Sequence, residues 1–377
     1  MSEQGENLAL IHTPGGMITG GVFTANKNAA HPVSYSRKNI DRSEHKAILV
    51  NKGNANAATG EKGKIKMEEM ITGLSSKMDI KKEDILVAST GAIGKIPTVS
   101  DRQLDSIVSQ TKQQKIKPYE FAESILTTDT HSKVFSSNFT INDKDIKLCA
   151  IAKGSGMVNP DMATMLVFIF TDLNITKEML TKSLKQVTRL TFNNLNIDGE
   201  TSTNDTVFIS STQKAGNRMI ETESGNYKKF FNHLKRLCTT TVEEIASDGE
   251  GATKLVKIKI KGAPDNSTAH RGAQALAGSL LCKTAFYGAS PNWGRVVSAL
   301  GAHNIKVNTK RFNLYLNGVL WIKNGQIFEK TFEQIKNILS GSKFKLTVDL
   351  GTGDGEALAY TCDLSPEYVR INAHYLT

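Results

Sequence analysis

The chain of 377 residues is 39% hydrophobic and 22% charged, with 30 glycines against 8 prolines, a composition that supports a large buried core and excludes collagen-like, mucin-like and low-complexity classes. The net charge of +10 comes from lysines spread along the whole chain. Without a zinc-finger, RNA-recognition or basic-zipper pattern it reads as a solvated basic surface that attracts anionic metabolites, and no nucleic-acid partner is expected.

The first third alternates short apolar runs with glycine-rich turns. Leu8–Ile11, Gly21–Thr24, Ala47–Val50 and Ile85–Ala88 are expected strands, being short, apolar and bounded by breakers. Met67–Met78 and Ser100–Gln113 carry apolar residues at helical spacing. Ile146–Ala152 and Thr164–Phe170 are apolar throughout, as strands buried on both faces are. A helical stripe runs from Ile175 to Leu195 through Met179, Leu180, Leu184, Val187 and Leu190, with Asn174 and Thr176 as cap candidates. A second helix is expected over about Tyr227–Ile245, and Leu255–Ile260 alternates apolar residues with lysine as a strand with one wet face does. Phe312–Trp321 reads as a hairpin turning at Asn317-Gly318. A short helix over Lys330–Leu339 and strands at Phe344–Val348 and Ala357–Thr361 close the chain.

Strands and helices mix without a regular βαβ beat, which favours a layered α+β fold over a doubly wound sheet. One domain, or two intimately packed ones, both fit this order. No apolar run approaches the ~20 residues of a membrane helix, and the first residues show no secretory pattern, so a soluble cytoplasmic protein without a membrane partner is expected. Cys149, Cys238, Cys282 and Cys362 lie far apart without a Cys-x-x-Cys pair, as thiols of a reduced compartment do. The eight histidines are equally dispersed, and no metal is expected.

Several segments are richer in Gly, Thr, Ser and Asn than a core needs. Gly91-Ala-Ile-Gly-Lys95 has the look of a phosphate loop, but two residues rather than four separate its glycines, and Ile96 follows the lysine. The match fails. More unusual is Lys153-Gly-Ser-Gly-Met-Val-Asn-Pro-Asp-Met-Ala-Thr164, a glycine loop and a proline leading into a hydrophobic strand. A chain cut before Thr164 would place its hydroxyl and a new α-amine on one residue, and an α-amine titrating near ~8 is a usable base for an attacking hydroxyl. Periodicity alone favours the plainer reading, a β-branched residue that opens a strand.

Taken jointly, nine segments resemble the ArgJ family of ornithine acetyltransferases, also called glutamate N-acetyltransferases or arginine biosynthesis bifunctional proteins. In the family's order they are Asn54-Ala-Asn-Ala-Ala-Thr-Gly60, Ser89-Thr-Gly91, Lys153-Gly-Ser-Gly156, Met162-Ala-Thr-Met-Leu166, Asp198-Gly-Glu-Thr-Ser-Thr-Asn-Asp-Thr206, Asp248-Gly-Glu-Gly-Ala-Thr-Lys254, Lys283-Thr-Ala-Phe-Tyr-Gly288, Pro291-Asn-Trp-Gly-Arg295 and Tyr368-Val-Arg-Ile-Asn-Ala373. Departures are a missing or shortened leader before Leu8–Ile11, Glu200 where aspartate is common, and Ser290 where the family often has aspartate.

The resemblance implies self-cleavage between Ala163 and Thr164, giving an α chain of residues 1–163 and a β chain of residues 164–377 that stay packed as one unit. It implies a layered α/β sandwich resembling N-terminal-nucleophile hydrolases with different connectivity. The implied reaction moves the acetyl group of N2-acetylornithine to L-glutamate through an acetyl-Thr164 intermediate. Thr90 and Gly91 would form the oxyanion hole, and Thr127, Lys153, Thr164, Glu250, Asn372 and Thr377 would contact substrate. A lysine suits an α-carboxylate and Glu250 suits the ornithine side-chain ammonium. No cofactor is implied, though acetyl-CoA is a possible second donor, and the partners are the two small-molecule substrates and a heterotetramer of two α and two β chains. A related self-processing aminopeptidase and a non-enzymatic basic binding protein are the alternatives.

Overall fold

Strand β1 spans Leu8–Phe23 and joins what the sequence presents as two separate strands. Leu8–His12 pair antiparallel with β2 (His45–Asn54), whereas Ile18–Phe23 pair antiparallel with β7 (Thr206–Ser211). The ladder breaks between His12 and Met17, over Thr13-Pro-Gly-Gly16, where Pro14 donates no hydrogen bond and Gly16 sits at φ 73°. Those breakers made one bent strand read as two. The computed structural model describes residues 7–112, 117–159 and 165–374.

From β1 the sheet extends both ways, to β3 (Ile85–Ala92) through β2, and through β7 to β6 (Leu166–Thr171), β5 (Lys144–Lys153) and β4 (Lys133–Ile141). Side-chain alternation shows that the two parts face each other. Ile48, Val50, Leu86 and Ala88 share one core with Leu166, Phe168 and Phe208. The intervening Ala47, Leu49, Ile85 and Val87 pack on α2 (Gly60–Met78) and α3 (Asp101–Lys112). Val167, Ile169, Val207 and Ile209 pack on α5 (Lys177–Leu190) and α6 (Gly225–Ser247). The layers therefore run helix, half-sheet, half-sheet, helix, the layered α+β sandwich expected. Two shorter helices close its ends, α1 (His31–Asn39) and α4 (Pro118–Ser124), the latter placing Phe121 edge-on to Phe168 at 5.4 Å.

Helix α5 starts where the sequence implied, because the Thr176 hydroxyl accepts from the Met179 N–H at 3.3 Å. It stops at Leu190, five residues short of the apolar stripe, and Phe192–Asn194 form a single 3₁₀ turn. Asn193 and Asn194 favour such turns over helix interior.

The second sheet has the order β11-β10-β9-β12-β8-β13, built from β8 (Leu255–Ala263), β9 (Asn313–Leu316), β10 (Val319–Lys323), β11 (Gln326–Ile327), β12 (Lys343–Asp349) and β13 (Gly355–Cys362). Its core is closed by α7 (Asn266–Ala277), α8 (Leu280–Tyr287), α9 (Gly294–Ala302) and α10 (Phe332–Ser340). Leu255, Tyr360 and Cys362 join the α5–α6 core instead, which seats this sheet on the sandwich. The last described helix, α11 (Pro366–His374), returns toward the sandwich. The four cysteines are free, and no helix of the described residues is long and apolar enough to cross a membrane.

Candidate active site

Parallel strands β2 and β3 run side by side until Gly53 faces Gly91. In the opposing half-sheet, β5 ends with Lys153 paired to Leu166. These strand ends open on one cavity of about 250 Å³, lined among others by Thr90, Gly91, Thr127, Lys153, Glu250 and Asn372. Ala163, Thr164 and Thr377 lie outside the described residues. Met165, which follows Thr164 in the chain, is buried and its N–H donates to Asp205 Oδ1 at 2.9 Å.

Gly91 is required by its surroundings. Its φ is 125°, and a Cβ there would lie 2.6 Å from the Asn54 nitrogen and 2.7 Å from Gly53 Cα, backbone that cannot step aside. The neighbouring loop is tied down by Asn204, whose Nδ2 donates to Ala55 O at 2.7 Å and to Ser89 Oγ at 2.8 Å. The Thr90–Gly91 segment is thereby held rigid at the cavity wall.

Lys153 is 2% exposed. Its ammonium donates to Thr127 Oγ1 at 2.6 Å and to Thr90 Oγ1 at 3.1 Å, and lies 3.7 Å from Asp129 Oδ2. Asp129 also accepts from the Gly154 N–H at 2.6 Å and from Lys133 Nζ at 2.9 Å, and Lys133 in turn pairs with Asp248. Two lysines and two aspartates thus neutralise each other in the interior, as buried charges must. Burial pushes the Asp129 carboxyl up, but Lys153 and Lys133 outweigh it and hold the group down at about 2. Burial lowers the Lys153 pKa, against the pull of Asp129.

The opposite wall is acidic. Glu250 is buried, and Gly156 makes room for it, because a Cβ on Gly156 would stand 2.5 Å from Oε2 and 2.6 Å from Oε1. Asn372 on α11 donates to Glu250 Oε2 at 2.7 Å. Asp198 accepts from the N–H groups of Met157 and Val158 at 2.5 and 2.8 Å; burial nevertheless pushes its carboxyl up. Glu200 stands exposed at the rim. Thr128 lines the cavity beside Thr127 and bonds Ser155 Oγ at 2.6 Å.

A cavity with hydroxyl and amide donors backed by an ammonium on one side, and carboxylates on the other, suits a small molecule with opposite charges at its two ends. Among the described residues, no three His, Cys, Asp or Glu side chains come together as a metal site. Sequence reasoning missed Asp129 and Lys133. Their i, i+4 spacing is the only local trace of the pair, and their partners Lys153 and Asp248 lie 24 and 115 residues from them. Asn204 and Asp205 lie inside the Asp198–Thr206 segment, where the sequence alone gives them no role.

The family model described as the ArgJ family matches residues 2–377. The arginine biosynthesis bifunctional protein ArgJ of Thermotoga neapolitana is 38% identical over 378 residues, covering 99% of this chain and 95% of that one. The glutamate N-acetyltransferase of Methanocaldococcus jannaschii is 38% identical over 384 residues, covering 98% and 94%. The crystal structure of the arginine biosynthesis bifunctional protein from Bacillus halodurans superimposes with a TM-score of 0.54 at 37% identity, covering 56% of this chain and 100% of that one.

Proposed function

The chain belongs to the ArgJ family, and from that premise we propose that it is a self-cleaving glutamate N-acetyltransferase that moves the acetyl group of N2-acetylornithine to L-glutamate. The observation that carries this reading is the convergence of Thr90, Gly91, Thr127, Lys153, Glu250 and Asn372 on one cavity, beside the strand that follows Thr164.

In this reading the precursor is cut between Ala163 and Thr164, and residues 1–163 and 164–377 remain one structural unit. Two ladders across the cut support that: β5 with β6, and β1 with β7. The share of this chain matched by the whole Bacillus halodurans chain, 56%, is close to that of residues 164–377. The Thr164 hydroxyl attacks the acetamide carbonyl while its free α-amine takes the hydroxyl proton. The tetrahedral oxyanion rests against the Thr90 hydroxyl and the Gly91 N–H. Collapse expels the ornithine α-amine, which receives the proton, and leaves acetyl-Thr164. The glutamate amine then attacks that ester, giving N-acetylglutamate and the free hydroxyl, so the kinetics are ping-pong. Thr127, Lys153, Glu250, Asn372 and Thr377 hold substrate, with the Lys153 ammonium bonded to Thr127 and Thr90 at the cavity wall. The working assembly in this reading is a cytoplasmic heterotetramer of two α and two β chains.

The test combines intact mass with product analysis. Two fragments beginning at residues 1 and 164, and transfer of isotopically labelled acetyl from N2-acetylornithine to glutamate, are expected. Release of amino acids from peptides without transfer would make it an aminopeptidase instead. Relatives named bifunctional favour a second arm with acetyl-CoA and glutamate, in which N-acetylglutamate formation would add that donor.

A further inference from the structure

Asp129 stands behind the cavity wall that Thr127 and Lys153 line, and its side chain is 0% exposed. Oδ2 accepts from the Thr127 N–H at 3.3 Å and lies 3.7 Å from the Lys153 ammonium. Oδ1 accepts from the N–H of Gly154, the residue after Lys153, at 2.6 Å. Lys133 Nζ secures the same oxygen at 2.9 Å and is itself paired with Asp248. One carboxylate thus touches both cavity residues on this side, and Lys153 from two directions.

We propose that Asp129 is a positioning residue for substrate binding: as the counter-charge of Lys153 it keeps that ammonium charged and aimed at the cavity, where it meets the α-carboxylate common to acetylornithine and glutamate, and it sets Thr127 beside it. The inference rests on the acetyltransfer reading and deepens it.

Three observations support it. A buried lysine gives up its proton unless an opposite charge is close, and among the described residues Asp129 is the one carboxylate within 4.0 Å of Lys153 Nζ. The other charged groups facing that ammonium are Lys133, which repels it, and Glu250 and Asp205, which attract it from farther away. Asp129 in turn stays ionised, because Lys153 and Lys133 hold its carboxyl down at about 2. Finally, the β4–β5 ladder sets Lys133 opposite Ala152, one residue before Lys153, so the sheet itself fixes where the anchor of Asp129 stands relative to Lys153.

The test is the KM for N2-acetylornithine from about pH 6 to about pH 9, where its carboxylate and side-chain ammonium keep their charges. It is measured on cleaved enzyme, with the cleaved fraction read by intact mass. Each variant is compared with the parent at the same pH, which cancels titrations the two share. Asp129→Asn keeps an acceptor for the Gly154 N–H but removes the charge, so burial and Lys133 should draw the Lys153 pKa into this range. Its KM should exceed the parent's by less than about threefold at about pH 6 and by more than about tenfold at about pH 9, as Lys153 loses its proton. Asp129→Glu keeps the charge, so its KM ratio should not vary with pH. Adding Asp129→Asn to Lys153→Met should produce no new pH dependence, because the titrating ammonium is gone. An unchanged KM in Asp129→Asn, or one raised equally at every pH as a purely structural role would give, would overturn the inference. If Asp129→Asn does not fold, its combination with Lys133→Met, which removes both charges of that pair, carries the same test under the same criterion. Absence of transfer by the unsubstituted enzyme would instead sink the acetyltransfer reading, which separates the two failures.

Discussion

Glu250 and Asn372 meet across 122 residues of chain, with Asn372 Nδ2 donating to Glu250 Oε2 at 2.7 Å, and the glutamate holds this position only because Gly156 has no side chain. The φ of Gly156 is not positive, so alanine strains no backbone there and acts purely by crowding the carboxylate. Gly156→Ala should therefore leave the fold intact and raise KM for acetylornithine roughly tenfold, the scale of a hydrogen bond to a charged group lost or distorted. Steady-state kinetics with both substrates check it; an unchanged KM would remove Glu250 from the binding role.

Deleting residues 372–377 removes Asn372, whose side chain bonds Glu250 and belongs to none of the half-sheet cores. Self-cleavage should survive, while kcat/KM for acetylornithine falls. Fragment appearance on a denaturing gel and transfer kinetics, read on one preparation, decide the matter. A truncated enzyme that transfers normally would show that the tail is no part of the site.

On the proposed mechanism Thr164→Ala removes the attacking oxygen for both cleavage and transfer, so it should remain a single chain without activity. Thr164→Ser keeps hydroxyl and amine and should retain some of each. Mass spectrometry reads the first effect, and an alanine variant still cut before residue 164 would refute the assignment.

Lys133 is 0% exposed and pairs with Asp129 and Asp248. Lys133→Met would leave two buried carboxylates to share what remains, a change of the kind that costs about 3–5 kcal/mol. Urea unfolding should show that loss, and a change below about 1 kcal/mol would mean the carboxylates find water instead.

Asp205 predicts a pH dependence with a definite sign. Burial pushes its carboxyl well above the ordinary value, against the Met165 N–H and the Lys153 charge. The folded state therefore keeps a proton that the unfolded chain releases near ~3.9. Its contribution to stability is complete below that pH and drains away as pH rises toward the folded pKa. Asp205→Asn preserves an acceptor for Met165 and cannot ionise, so its Tm advantage over the parent should grow from about pH 4 toward neutrality. A difference that stays constant over that range would show that Asp205 does not titrate there.

Apolar strands were legible because Ala47–Val50, Ile85–Ala88 and Leu166–Ile169 are buried on both faces and carry little else. The hairpin turn was equally plain, with Asn317 and Gly318 at φ 48° and 86°, as a two-residue turn between strands demands. β4 escaped notice, since Ser136, Ser137 and Asn138 dilute its alternation. Helix α7 escaped too, because apart from Leu276 its buried face is alanine and glycine and gives no stripe of large residues. At the site, the resemblance supplied residues that the structure gathers around one cavity. The buried Asp129–Lys133 pair was beyond reach, because nothing local distinguishes it from surface charge before the chain is folded.

The bend in β1 also sets an order of events during synthesis. Leu8–His12 find their partners in β2 within about forty residues, a short loop to close. Ile18–Phe23 must wait for Thr206–Ser211 to leave the ribosome, and until then β1 exposes a bare edge of the kind that invites wrong pairing. The nascent N-terminal half-sheet is therefore the part of this chain most dependent on being shielded. A nascent chain stalled before residue 206 should bind holdase chaperones, and one released after residue 211 should bind them less.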